Sequence, residues 1–127
     1  MAAGRFEDAE TPARTALKLR ERIENDTPAV AADALALARV LAEKDYRAEA
    51  NALYHRALTI YRAHGYQYDA AVCLHGLARL HADTEPAVSR ERLMLALWIK
   101  RGILGGLHPE VLELLTEMSK GAAESCR

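Results

Sequence analysis

Three cationic side chains recur at nearly equal intervals and have the clearest potential to bind a ligand. The interval from Arg39 to Arg79 is almost the same as the interval from Arg79 to Lys120. If these intervals match a structural repeat, the three charges lie in a row, one repeat apart. Because Arg donates paired hydrogen bonds that fit a carboxylate, the row predicts a surface for an acidic segment or a C-terminal carboxylate. Solvated arginines, some of them paired with Glu43 or Asp83, are the alternative interpretation.

Side chains suited to catalysis or metal binding do not converge in the sequence. His75 and His81 are six residues apart on one predicted helix, so they lie on different faces and do not form the i, i+4 pair of a helical metal site. No Ser, His and acid set occurs at a catalytic spacing, and the glycines follow a helix instead of a strand. The sequence therefore predicts no enzyme, catalytic residue, metal or cofactor. A small helical enzyme or metal protein built around His75, His81 and Glu85 is the alternative.

Charge and hydropathy argue against several classes of protein. The 127 residues carry 17 basic and 18 acidic side chains, a balance that disfavours a nucleic-acid-binding role. No apolar run approaches the roughly 20 residues that span a bilayer, and the N-terminus has no apolar signal core. Cys73 and Cys126 have neither metal-ligand spacing nor the pattern of a disulfide scaffold. We expect one cytoplasmic domain over residues 1–127, with no nucleic-acid or membrane partner.

Apolar spacing and helix-terminal residues predict an all-α chain. Half of the residues are apolar, Ala and Leu dominate, and no segment alternates with period two. Thr11-Pro12, Thr27-Pro28 and His108-Pro109 are typical helix starts, and Gly65 is well placed just after a helix end. Six helices are predicted, over about 12–23, 28–42, 46–64, 68–82, 86–103 and from 109 onward. The predicted inward positions of the last helix are Val111, Leu112, Leu115 and Met118.

The sequence repeats itself with a period of roughly 40 residues, a length typical of helical repeat arrays. The segment 37–41 recurs at 77–81, one period later, and the segment 27–30 matches 108–111, two periods later. Small residues at equivalent places would let paired helices approach closely, while Leu and Tyr fill the remaining space. These predicted contact positions are Ala38, Ala50 and Ala57 in one repeat and Ala78, Ser89 and Ala96 in the next.

This repeat resembles the tetratricopeptide repeat family, in the longer-period form found in kinesin light chains and many bacterial signalling proteins. The resemblance implies a right-handed superhelix of about six antiparallel helices, comprising a half repeat, two full repeats and a half repeat. It covers nearly the whole chain, although the second full repeat is degenerate. The residues that carry it are Leu37-Ala38, Tyr46 to Ala50, Leu53-Tyr54, Arg56-Ala57-Leu58, Ile60 and Leu104 to Val111.

Members of this family bind proteins or peptides without catalysis, so the resemblance implies an adaptor or a regulatory domain. The first helix of each repeat lines a concave groove in such proteins. The partner-binding residues that this implies here are Arg39, Arg79, Lys120, His75, Leu35, Glu43, Val72 and Thr116.

A half repeat at each end leaves the terminal helices without their usual partners. This predicts self-association as a dimer or a head-to-tail oligomer, through Leu112, Leu115 and Met118 at one end and Phe6 and Leu17 at the other. The alternative function is accordingly a self-assembling structural unit. An excised piece of a longer array, or capping by the tail 121–127, would equally explain the half repeats.

Overall fold

The computed structural model describes the backbone of residues 2–125 and the side chains of residues 9–121. Residues 2–125 form six α-helices and contain no strand, and consecutive helices pack in antiparallel pairs, which confirms the all-α prediction. None of these helices is both long and apolar enough to cross a bilayer. The helices are α1 (Ala2–Ile23), α2 (Pro28–Glu43), α3 (Arg47–Ala63), α4 (Gln67–Leu80), α5 (Pro86–Leu104) and α6 (Pro109–Ser125).

The contacts divide the chain into two compact units. The first unit, Met1–Tyr66, contains α1 to α3, and the second unit, Gln67–Arg127, contains α4 to α6. In the first unit α2 packs against both α1 and α3, and in the second unit α5 packs against both α4 and α6. The middle helix of each unit therefore has neighbours on two sides. The expectation of one domain over 1–127 stays a prediction.

Local capping explains where the helices begin. The Thr27 hydroxyl accepts a hydrogen bond from the Val30 amide at 3.4 Å, and Nδ1 of His108 accepts one from the Glu110 amide at 3.2 Å. The predicted start of α1 is wrong, because the helix continues upstream through Pro12 and Thr11 is not its cap. An internal Pro removes one intrahelical hydrogen bond, and a helix of 22 residues retains most of the others.

The C-terminal ends of α2 and α3 use the same hydrogen-bond pattern. The Tyr46 amide donates to the Leu41 carbonyl and the Tyr66 amide donates to the Tyr61 carbonyl, both at 2.9 Å. The residue before each donor is left-handed, Asp45 at φ 62° and Gly65 at φ 75°. This is the Schellman arrangement, in which glycine carries no steric cost. The prediction that Gly65 follows the end of its helix is confirmed.

A seam of small residues joins the paired helices of the second unit. Ala78 on α4 and Ala96 on α5 are fully buried, and Ser89 on α5 is almost so. The Ser89 hydroxyl donates to the Ala78 carbonyl at 2.7 Å, so the side chain of one helix touches the backbone of the other. Such a contact requires that neither position carry a large side chain.

The first unit has the same seam one period earlier. Ala38 on α2, together with Ala50 and Ala57 on α3, is fully buried, and α2 and α3 are in extensive contact. Ala38 and Ala50 hold the repeat positions of Ala78 and Ser89. The predicted burial of the small residues is therefore confirmed in both units.

The inward face of α6 differs from the prediction. Val111 and Leu114 are buried, whereas Leu112 and Leu115 are 46% and 43% exposed. Because the backbone of α6 lies close to that of α5 alone within the described residues, and α4 is reached only by polar side chains, a narrow stripe centred on Val111 and Leu114 is enough to complete the core. The expectation that Leu112 and Leu115 point inward is therefore wrong for this chain.

Replacing Ala38 by Leu tests the seam. We expect the free energy of unfolding to fall by about 1–3 kcal/mol, because a larger side chain forces α2 and α3 apart. The matched control is Ala36→Leu, at an exposed position of the same helix, which should change stability by less than about 0.5 kcal/mol. Urea unfolding followed by circular dichroism measures both variants. Equal stabilities for the two would contradict the seam.

Candidate functional site

Two polar contacts connect α4 with α6 in the second unit. The Tyr68 hydroxyl donates to Oε1 of Glu110 at 2.6 Å, and Nε2 of His75 lies 2.9 Å from Oε1 of Glu117. The two α4 residues are seven positions apart, as are the two α6 residues, so each pair lies on one face of its helix. Since both contacts run in the same direction, α4 and α6 are parallel where they meet. We call these contacts the α4–α6 ladder.

Lys100 connects the α4–α6 ladder to α5. Its side chain is buried, and its ammonium donates to Oε1 of Glu110 at 3.2 Å and lies 5.5 Å from the ring centroid of Tyr68. A buried ammonium requires such partners, because moving the charge out of water without them costs free energy. The hydrogen bond from Tyr68, followed by that from Lys100, lowers the pKa of Glu110 and keeps the carboxylate charged. One carboxylate thus ties three helices together.

The first unit has a ladder of ion pairs between its first and third helices. Nη1 of Arg14 lies 2.6 Å from Oε2 of Glu49, and Nη1 of Arg56 lies 2.7 Å from Oε2 of Glu21. These pairs join α1 to α3 in parallel, again with seven positions between successive contacts on each helix. The hydrogen bond with Glu49, followed by that with Glu10, raises the pKa of Arg14 and favours the charged guanidinium. Both units therefore connect alternate helices by polar side chains.

Arg79 extends the polar cluster toward the C-terminal end of α4. Its Nε donates to Oε1 of Glu117 at 3.1 Å, while Nη2 donates to the same oxygen and, at 3.4 Å, to Glu113. Its Nη1 makes no hydrogen bond within the described part of the chain. The hydrogen bond with Glu117 raises the pKa of Arg79. The guanidinium is therefore held along one edge and can donate from the other.

The protonation states of His75 and Glu117 follow from their burial and their partners. Desolvation lowers the pKa of His75 and outweighs the opposing effect of Glu117. Partial burial raises the pKa of Glu117, but the hydrogen bonds from Arg79 and His75 exceed this effect and leave the pKa lowered. At neutral pH the imidazole is neutral and donates Nε2–H to a charged carboxylate.

An open cleft of about 440 Å³ lies beside Arg79, bounded by α4, α5 and α6. It brings together two of the predicted partner-binding residues, Arg79 and Lys120. Within the described residues Lys120 has no ion pair. Its lining carries three positive side chains, Arg79, Arg90 and Lys120, and two negative ones, Asp83 and Glu117. The charged and polar side chains that line it are Arg79, Asp83, Ser89, Arg90, Glu117 and Lys120.

The predicted partner-binding residues of the first unit lie on α2. Arg39 and Glu43 are not buried, and neither has an ion pair within the described residues. Leu35 is buried, so its side chain belongs to the core and the prediction that it contacts a partner is corrected. The reason is that α1 and α3 cover α2 on two sides, which makes the buried arc of α2 wider than one stripe.

His75, which was also predicted to bind a partner, belongs to the α4–α6 ladder, and a partner contact by it stays a prediction. The other two predicted partner-binding positions are Val72 and Thr116 in the second unit. Val72 is half-buried on α4, and Thr116 is exposed on α6, where its hydroxyl donates to the Leu112 carbonyl at 2.9 Å. A contact between either residue and a partner stays a prediction.

The predicted self-association residues differ in exposure. Leu112 and Leu115 are exposed and Met118 is half-buried, but Leu17 is buried in the first unit, where α1 packs on α2. Leu17 is therefore unavailable to a second molecule, and its assignment is corrected. The side chain of Phe6 lies outside the described residues.

Sequence reasoning missed the acidic members of the α4–α6 ladder. The separation between Tyr68 and Glu110 equals that between His75 and Glu117, and it slightly exceeds the repeat period. A search for complementary polar residues at such a spacing would have detected both pairs. Among the described side chains no three His, Cys, Asp or Glu residues come together to hold a metal ion.

Neither a protein-family model nor a curated protein matches this chain significantly. Its function is therefore inferred from its own contacts.

The burial of His75 predicts that stability depends on pH. Its ordinary pKa of 6.5 applies to the unfolded chain, and its pKa is lower in the folded protein. As the pH falls below about 6.5, the unfolded state binds the proton first, so the free energy of unfolding decreases until the folded pKa is reached. In the variant His75→Gln, the free energy of unfolding should therefore depend less on pH than in the wild type. Urea unfolding at pH values between about 7 and 5 measures this dependence.

The control is Ala36→Gln, which introduces the same side chain at an exposed position on α2 and removes no titratable group, so it should retain the slope of the wild type. A wild-type protein whose stability increases over this range on acidification would contradict the proposed protonation states.

Proposed function

We propose that the chain is a tetratricopeptide-repeat-like helical module that binds a protein partner without catalysis, and that its cleft between α4, α5 and α6 takes an acidic segment of that partner. The observation that carries the proposal is the placement of Arg79 and Lys120 at one cleft, with Arg90 beside them. Cationic side chains around an open cleft suit a carboxylate-bearing ligand.

The repeat-like architecture is supported by features that recur with the period of the sequence repeat. The seam residues Ala38 and Ala50 in the first unit, like Ala78 and Ser89 in the second, are buried at equivalent positions. Each unit also contains a ladder that joins two parallel helices next but one in the sequence, although the two ladders are not related by the repeat period. A right-handed superhelix that aligns Arg39 with Arg79 and Lys120 is part of the proposal.

The chemistry of Arg79 favours a carboxylate ligand. Glu117 fixes the orientation of its guanidinium, so little side-chain freedom remains to be lost when a ligand binds. The Nη1 edge supplies N–H donors in a plane, as a carboxylate requires. Lys120 adds a charge without a described ion pair, which would increase both affinity and the rate of association.

Acidic groups at the same cleft limit the affinity. Asp83 and Glu117 both line it, and a ligand carboxylate would have to be accommodated beside them. We therefore expect moderate binding that weakens as salt increases, because the attraction between partly exposed charges is screened.

Binding of a fluorescein-labelled Glu-rich peptide, measured by fluorescence anisotropy, tests the proposal. The variant Lys120→Glu should bind about tenfold more weakly, equivalent to about 1.4 kcal/mol, and Arg39→Glu with Arg79→Glu should also weaken binding. A peptide with Gln in place of Glu should bind weakly to the wild type, since it lacks the charges.

The matched control is Arg101→Glu, an equal change of charge at an exposed position on α5 that does not line the cleft. It should leave affinity within about twofold of the wild type at physiological salt. If the Glu-rich peptide does not bind, or if Arg101→Glu weakens binding as much as Lys120→Glu, the cleft is not the binding site.

A further inference from the structure

One face of α6 is exposed at positions that are buried in the equivalent helix of the preceding repeat. Leu112 and Leu115 are 46% and 43% exposed, whereas Ala71 and Leu74, which precede them by one period on α4, are 0% and 3% exposed. Ala71 and Leu74 lie seven and four positions before Ala78, on the face of α4 that meets α5. The corresponding face of α6 thus has no helix packed on it within the described residues.

The first unit gives the same comparison. Ala31 and Ala34 on α2, two periods before Leu112 and Leu115, are fully buried on the face that carries Ala38. On this face α2 and α4 are therefore covered by a neighbouring helix, whereas α6, which has the same repeat position, is not covered within the described residues. The open face of α6 has the geometry of a surface for one more antiparallel helix.

α1 also exposes a face that is buried in the equivalent helix of the next repeat. Ala16 is exposed although Ala57, one period later on α3, is fully buried against α2. Leu19 is 53% exposed, whereas Ile60 at the equivalent position of α3 is 4% exposed. Within the described residues no helix covers the side of α1 that corresponds to the α2-facing side of α3.

The two open faces are complementary in size. Ser119 on α6 holds the repeat position of Ala78, and Ala9 on α1 holds the repeat position of Ser89. If α1 of one molecule packed on α6 of another in the register of α5 on α4, Ala9 would therefore lie against Ser119, a pair of small residues like Ser89 and Ala78. The same antiparallel register sets Ala16 against Leu112 and Ala13 against Leu115. Large side chains on α6 would then meet small ones on α1, which is the condition for close helix packing.

The charges of the two helices add little to this match. The three acidic side chains among residues 109–121 of α6 already contact Lys100, Arg79 and His75, and Arg14 and Arg20 of α1 contact Glu49 and Asp33. Complementarity of size and register, and not of charge, therefore selects α1 as the occupant.

We propose that the open face of α6 is a docking surface for α1 of a second copy of this chain. The contact is heterologous, because different surfaces of the two copies meet. It is independent of the proposed function, since it uses the Leu112 and Leu115 face and not the cleft beside Arg79.

Light scattering coupled to size exclusion, at micromolar to high-micromolar concentrations, tests the docking. The wild type should exceed the monomer mass of 14.0 kDa in a concentration-dependent manner. Leu115→Glu on α6 and Ala16→Glu on α1 should each elute as monomers, because a charge would enter the contact. Ala36→Glu, an equal change at an exposed position of α2, should behave as the wild type.

Mixing the two monomeric variants is the decisive step. Ala16→Glu retains an intact α6 and Leu115→Glu retains an intact α1, so the mixture should form a heterodimer of twice the monomer mass. Circular dichroism checks that each variant is folded, and the milder Leu115→Ser should weaken association if Leu115→Glu does not fold. A wild type that stays monomeric, or a mixture that does not associate, would overturn the proposal.

Discussion

Close approach of paired helices at a seam of small residues is the constraint on which the rest of this structure depends. In the second unit the Ser89 hydroxyl reaches the Ala78 carbonyl, a contact that only short side chains permit. The seam of the first unit uses Ala38 and Ala50, both fully buried. Helices held further apart would leave voids beneath the Leu and Tyr residues that complete each core, and voids in a core reduce stability.

The seam also fixes the geometry of the candidate site. Because α4 and α6 both pack on α5, the distance between them is set by those two contacts. The α4–α6 ladder then aligns the helices along their length, and Glu117 orients Arg79 beside the cleft. Packing contacts among three helices, and not a local motif, thus determine where the Arg79 guanidinium lies.

The repeat period and the seam could be predicted because each depends on residue type at regular spacing. Most of the helix starts could also be predicted, because they depend on residues close in sequence. The exception is α1, where Pro12 lies inside the helix and the predicted start is wrong. The α4–α6 ladder was missed, since pairing His75 with Glu117 depends on the relative register of two helices that are not consecutive, and only the spacing slightly above the repeat period points to it. The wrong inward face of α6 has a similar cause, because its apolar residues are compatible with either of two stripes, and packing on α5 selects Val111 and Leu114.

The most direct test of the seam is a methyl–methyl nuclear Overhauser measurement on protein with labelled alanine. A cross-peak between the Cβ methyl groups of Ala38 and Ala50 is expected, because both residues are fully buried and hold the repeat positions of Ala78 and Ser89, which are in contact. A spectrum in which Ala38 shows contacts to other methyl groups but none to Ala50 would contradict the account.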